Sequence, residues 1–170
     1  MDFNYGNNAK EEFEKTTFKV IDGGNNQSTD YVRPNLKLIK NVVVADDAAV
    51  VRLIIKNTLQ DLYNVYEVTN GDDAIKILQS LDYNAVVFLD LKMPESDGFK
   101  VLRILDEMDI TIPITVISGD DSMATIQQVC KKPNVDYICK PLGKMQVLAA
   151  TERMFRQKEM SKSISKQKAA

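Results

Sequence analysis

With 170 residues, 44% of them apolar and 27% charged, the chain is long enough to bury a core without disulfides or structural metal. A net charge of −2 argues against a globally basic nucleic-acid binder or a protein held on anionic membrane. The absence of histidine removes most zinc sites, Ser–His and Cys–His dyads and any histidine phosphocarrier role.

The first stretch, 1–37, is polar and rich in Asn and Gly, with GGNNQSTD as its clearest breaker cluster, and reads as a flexible N-terminal arm. Its segment EEFEKTTFKVID carries Phe13, Phe18, Val20 and Ile21, the one part suited to packing. The opening MDFNYGNNAKEEFEK lacks the apolar run of a signal peptide, and no stretch approaches the ~20 apolar residues of a membrane span. A cytoplasmic setting follows as an expectation, with Cys130 and Cys139 as reduced, small, mostly buried residues.

A folded domain is expected over 38–157. Five apolar, mostly β-branched runs, IKNVVVA (39–45), VYEV (65–68), AVVFL (85–89), PITVI (113–117) and VDYIC (135–139), alternate with amphipathic stretches. Four are apolar on both sides, as strands of a parallel sheet covered on both faces should be, whereas VYEV alternates like an edge strand. A helix over 48–62 carries Val51, Ile54, Ile55, Thr58, Leu59 and Leu62 on one face, a second Ala74, Ile77, Leu78 and Leu81, and a third Val101, Leu102, Leu105 and Met108. The fourth opens at Asp121 or Ser122, presents Met123, Ile126, Val129 and Cys130, and stops at Lys132 before Pro133. The fifth runs from about Gly143 to Gln157 with Met145, Leu148 and Ala149 inward, and 158–170 forms a disordered, mildly basic tail. Strict βα alternation implies right-handed crossovers: an α/β fold, a doubly wound five-stranded parallel sheet of the flavodoxin-like order 2-1-3-4-5 with five helices.

In such a sheet, sites form beyond the carboxyl ends of the strands, where strand order reverses. Asp46 and Asp47 follow the first strand, Asp90 the third, Ser118 the fourth and Lys140 the fifth. Each has a plain alternative: an N-cap pair for Asp46–Asp47, turn or helix caps for Asp90 and Ser118, and a surface lysine for Lys140. Five such residues at four matching strand ends favour a joint site. Clustered carboxylates repel, and a hard divalent ion, Mg²⁺ or Mn²⁺, relieves this through oxygen ligands. That ion also screens an incoming phosphoryl group, so that a carboxylate can attack phosphorus. Lys140 would counter charge on the phosphoryl oxygens, Ser118 would donate a hydrogen bond, Gly119 leaves room, and a cis bond before Pro141 would aim Lys140 inward.

The segments VVVADDAAVVR (with Arg52), TNGDDAIKIL, FLDLKMPESDGF, PITVISGD and VDYICKPL make the chain resemble the response regulator receiver (CheY-like) family of two-component signalling systems, over most of Ile39 to Phe155. The resemblance implies a phosphorylation-dependent switch in which Asp90 accepts a phosphoryl group from a histidine kinase or phosphotransfer protein, the receiver catalysing only its own phosphorylation and dephosphorylation. It implies that Asp47, Asp90 and the backbone carbonyl of Lys92 bind Mg²⁺ directly, with Asp46 acting mainly through water. It also implies that Ser118 and Tyr137 form the switch pair, leading to the face of helix four, strand five and helix five. The sequence departs from the family in Ala45, where valine is frequent, and in NVDY, where a Gly-Ala-Asp-Tyr turn is common; neither touches the chemistry. Lys92 and Asp120, two residues past Asp90 and Ser118, are expected to form an ion pair over the mouth.

Two rivals remain at this level. A haloacid-dehalogenase-like phosphatase would need a second Asp where Lys92 stands. A degenerate receiver acting as a constitutive interaction module would not need the full set of acceptor, acidic pair, hydroxyl and lysine. With no room for an output domain after the fifth helix, the signal is expected to leave through a downstream target protein or a homodimer on the face of helix four, strand five and helix five, with nucleic acid a poor second.

Overall fold

The computed structural model describes residues 40–168; the expected arm, 1–37, lies outside that range. Five βα units follow in order: β1 (Asn41–Ala45), α1 (Ala49–Leu59), β2 (Asn64–Val68), α2 (Gly71–Ser80), β3 (Ala85–Asp90), α3 (Gly98–Glu107), β4 (Ile114–Ser118), α4 (Met123–Val129), β5 (Val135–Cys139) and α5 (Lys144–Lys168). The strands form one parallel sheet in the order β2-β1-β3-β4-β5, as the alternation of patterns implied. The VYEV run lies in the half-exposed edge strand β2.

Alternation along the inner strands sends side chains into two cores. Val43, Val87, Leu89 and Val116 pack towards Ala74 and Leu78 of α2, Val101 and Leu105 of α3 and Val129 of α4. Val42, Val44, Val86, Phe88 and Ile117 pack towards Val51, Ile55 and Leu59 of α1 and Val147, Ala150, Met154 and Phe155 of α5. Three helices open on side-chain caps: Asn70 accepts from the Asp73 N–H at 2.8 Å, Asp97 from Lys100 N–H at 2.8 Å, and Ser122 from Thr125 N–H at 3.4 Å.

Several details differ from the sequence pattern. α5 is rotated: Met145 (75% exposed) and Ala149 face outward, Leu148 is half-buried, and the inward face is Val147, Ala150, Thr151, Met154 and Phe155. α5 also continues through Lys168 instead of yielding to a disordered tail at 158. Helix-forming Lys, Glu, Met and Gln favour this. Lys158 Nζ donates to the Ala85 carbonyl (2.8 Å), Glu159 pairs with Lys40 (3.0 Å), and Ser161 and Ser163 donate to the carbonyls of Gln157 and Glu159 (both 3.0 Å). Leu62, Met108 and Met123, assigned to inward faces, are exposed, while Ile75 of α2 is buried. Cys130 and Cys139 are free thiols but exposed, because α4 buries only Val129 and β5 is an edge strand. The Lys140–Pro141 bond is cis.

Among the described residues, Phe88 is the largest fully buried side chain, and it stands in the sheet's central strand. Phe88→Ala is expected to cost about 3–5 kcal/mol in urea unfolding, through lost burial and the cavity left behind.

Candidate functional site

Register brings the acidic groups together. Ala45 pairs with Leu89, so the residues that follow, Asp46 and Asp90, emerge side by side at the carboxyl ends of neighbouring strands. Asp46 is fully buried and Asp90 is 4% exposed, whereas Asp47 faces solvent. Ligand oxygens of Asp46, Asp47 and Asp90 lie within 4.8 Å of one another. β5 delivers the countercharge from the other side of the switch point: Lys140 Nζ stands 2.8 Å from Asp90 Oδ2 and 2.8 Å from Asp46 Oδ2. The contact with Asp90 is an aligned hydrogen bond; that with Asp46 Oδ2 is an ion pair with no hydrogen bond directed at the oxygen.

The backbone around these groups is fixed locally. Asp46 Oδ1 accepts from Ala48 N–H at 2.8 Å. Arg52 reaches back to donate to the carbonyls of Asp46 (2.8 Å) and Asp47 (3.0 Å), which pins the β1–α1 loop. The residue at the N-cap of α1 is Ala48, with no side-chain cap, so the acidic pair does not act as the cap itself. Asp90 Oδ1 accepts from Lys92 N–H at 3.2 Å. Gly98 packs against the carbonyl of Asp90 so closely that an added Cβ would collide with backbone. That requirement was legible only as the dipeptide Asp97-Gly98 in FLDLKMPESDGF.

Burial raises the pKa of Asp46 above the ordinary carboxylate range, an effect opposed by the Lys140 ammonium and the Ala48 N–H and reinforced by the charge of Asp90. For Lys140, burial alone would lower the pKa, but the carboxylates of Asp46 and Asp90 outweigh it and hold the ammonium above the usual lysine range. The donor set is all oxygen, three acidic groups cluster where one ammonium meets two of them, and Asp46 Oδ2 has no aligned donor. These residues fit a hard divalent cation.

Ser118, fully buried, ends β4, and its Oγ accepts from Asp120 N–H at 3.2 Å. Tyr137 is half-buried, and its hydroxyl donates to the carbonyl of Asp120, tying β5 to the β4–α4 loop. The expected ion pair between Lys92 and Asp120 is absent among the described ion pairs. The Asp120 carboxylate accepts instead from Ser122 N–H (2.9 Å) and the Thr125 hydroxyl (3.0 Å), which with the Ser122 hydroxyl hold its pKa low. The charge of Lys92 reaches it only as a weaker, longer-range influence.

Comparison with known proteins bears on the family and the fold. The family profile of the response regulator receiver domain matches residues 42–152. The cell cycle transcriptional regulator CtrA of Caulobacter vibrioides is 28% identical over 115 residues, 68% of this chain and 49% of CtrA. CtrA of Brucella ovis is 29% identical over 118 residues, again 68% of this chain and 49% of its own length. Among solved structures, the receiver domain of the Francisella response regulator 1452 superposes with a TM-score of 0.61 at 25% identity, covering 69% of this chain and 98% of that one. The Vibrio cholerae chemotaxis protein CheY4, at 24% identity and a TM-score of 0.59, covers 68% of this chain and 98% of its own and shares the fold. This chain belongs to the response regulator receiver family, and its folded unit is therefore a phosphorylation-dependent signalling switch. It spans about half the length of the curated relatives it matches. No helix among the described residues is long and apolar enough to cross a membrane.

Lys140→Ala leaves two buried carboxylates facing each other. It should destabilise the cation-free protein by about 3 kcal/mol, with millimolar Mg²⁺ restoring much of the loss in parallel urea titrations.

The raised pKa of Asp46 has a definite sign. A raised carboxyl pKa gives stability that is full below the ordinary value and lost as pH rises through the folded value. Cation binding needs the ionised form, so Mg²⁺ affinity should fall on acidification at a pH above the ~3.9 of a free aspartate. Calorimetric titration across the acid range checks this.

Proposed function

We propose that Asp90 is the phosphoacceptor of this switch and that Asp46, Asp47, Asp90 and the backbone carbonyl of Lys92 hold Mg²⁺, with Mn²⁺ as a substitute. The observation that carries the reading is the gathering of Asp46, Asp47 and Asp90 at the rim of the sheet, with the Lys140 ammonium on Asp46 and Asp90. Bound there, the cation would neutralise charge on the entering phosphoryl group. An Asp90 carboxylate oxygen attacks phosphorus of a phosphohistidine on a kinase or phosphotransfer protein. The new O–P bond makes an aspartyl phosphate, the P–N bond breaks, and its electron pair returns to the imidazole nitrogen. Lys140 binds a phosphoryl oxygen and orients it, at the cost of loosening its present hold on Asp90.

The output side follows from Ser118 and Tyr137. A hydrogen bond from the Ser118 hydroxyl to the phosphoryl group draws the β4–α4 loop inward, and the Tyr137–Asp120 bond carries that displacement to β5. The phosphoryl group thus favours one packing of the α4–β5–α5 face over another, a population shift that a target protein or a second copy reads. The setting is the cytoplasm, where both thiols stay reduced. The relation to CtrA favours a second reading of output alone, in which the same switch governs a transcriptional response.

Incubation with acetyl phosphate and Mg²⁺ should add the mass of one phosphoryl group to the wild type and none to Asp90→Asn. Equal labelling of both would remove Asp90 from the role, and failure of the wild type to label would favour a constitutive interaction module. Multiple-turnover release of phosphate from small phosphomonoesters would favour the phosphatase reading.

A further inference from the structure

The loop between β3 and α3, residues 91–97, supplies the Lys92 carbonyl and sets the direction of Asp90. It is partly self-supporting: Gly98 N–H donates to the Leu91 carbonyl (3.1 Å), Ser96 N–H to the Pro94 carbonyl (2.7 Å), and Glu95 takes a left-handed turn at φ 64°. Left-handed backbone at a non-glycine residue costs energy and persists only where surrounding contacts hold it.

The residue after Glu95, Ser96, is held by the first turn of α2. Gly71 N–H donates to the Ser96 carbonyl at 2.8 Å. A Cβ on Gly71 would stand 2.8 Å from Ser96 Oγ and 2.9 Å from the Ser96 carbonyl, so the helix reaches the loop only because this residue is glycine. Ser96 is 3% exposed, and its hydroxyl donates to Asp72 Oδ1 at 3.0 Å. The same oxygen receives Lys100 Nζ, from the first turn of α3, at 2.7 Å. One carboxylate oxygen therefore joins α2, the loop and α3. The hydrogen bonds from Lys100 and Ser96 also hold the pKa of Asp72 below the usual carboxylate range, so it stays ionised near neutrality.

We propose that Asp72, Ser96 and Lys100 are positioning residues that brace the β3–α3 loop from outside, holding the Lys92 carbonyl and Asp90 in the geometry that binds the divalent cation. The inference rests on the reading of that rim as an Mg²⁺ site. It adds a network that meets the loop at Ser96. No member is among the proposed cation ligands; Lys100 and Asp72 act through Ser96 and the backbone of residues 91–97. Because Asp72 is about half exposed, the brace is not a core contact, and its loss should loosen the loop without unfolding the domain.

The test uses the full chain, with Mg²⁺ alone as the probe. Ser96→Ala and Asp72→Ala are each expected to raise the Mg²⁺ dissociation constant about tenfold in calorimetric titration. The double variant should lose little more than either single one, because both remove the same link. Asp72→Asn, which keeps an acceptor for the Ser96 hydroxyl, should recover part of the affinity. Lys76→Ala removes a solvated ion pair with Asp73 on the same helix and should bind Mg²⁺ as the wild type does. Amide exchange in the cation-free protein gives an independent readout: the Ser96 and Gly98 N–H groups should exchange faster in Ser96→Ala while the β1 and β3 amides do not. Affinities within twofold of wild type, or a loss matched by the equally destabilised core variant Ile75→Val, would overturn the brace. A wild type that binds no Mg²⁺ would instead overturn the metal reading, and unchanged loop exchange would then overturn the brace separately.

Discussion

Asp46 and Asp90 lie almost out of water on neighbouring strands, and two carboxylates so placed repel strongly in a medium that screens poorly. Lys140 is the group that lets them coexist, standing 2.8 Å from an oxygen of each. Its hold is divided, however, and Asp46 Oδ2 receives charge without an aligned hydrogen bond. The rim is left electrostatically unfinished, with a third acidic group, Asp47, at its open side. A site of this kind favours cations because its negative charge is under-compensated. The parallel sheet makes that state affordable in structural terms, since its buried strands hold the backbones in register whatever the side chains would prefer.

The two sides of the rim are built differently. On the Asp90 side, the loop is tied to itself, to glycines at 71 and 98 that admit backbone at close range, and to the charged link through Asp72. On the Ser118 side, α4 is a short helix that buries only Val129, and Met123 at its start is exposed. Sparse burial lowers the cost of local rearrangement. Stiffness lies on the side of the proposed cation site and nucleophile, and softness on the side of the proposed output face. The hydroxyl of Tyr137 on the Asp120 carbonyl joins the soft loop to the edge strand. Because Asp120 is committed to Ser122 and Thr125, it shapes that loop instead of pairing with Lys92 across the mouth.

The amino-acid sequence by itself determined the alternation of strands and helices, the order of the sheet and the family. These depend on local periodicity, on two-sided apolar runs and on ordered motifs around Asp46, Asp90, Ser118 and Lys140. It also put acidic, hydroxyl and ammonium groups at strand ends, which is enough to expect them on one rim once the sheet order is known. Only the tertiary structure decided which face of α5 meets the sheet, because Met145 and Val147 are equally apolar and docking chooses between them. The same holds for the continuation of α5 past Gln157, anchored by Lys40 and by carbonyls far away in the chain, and for the exposure of Cys130 and Cys139 on a thinly covered edge. The link from Asp72 to Ser96 and Lys100 was likewise invisible, since its members are polar residues of ordinary kinds separated by a whole βα unit. Periodicity records which residues prefer to be buried; contacts between distant segments depend on how finished elements pack, and that information exists only in three dimensions.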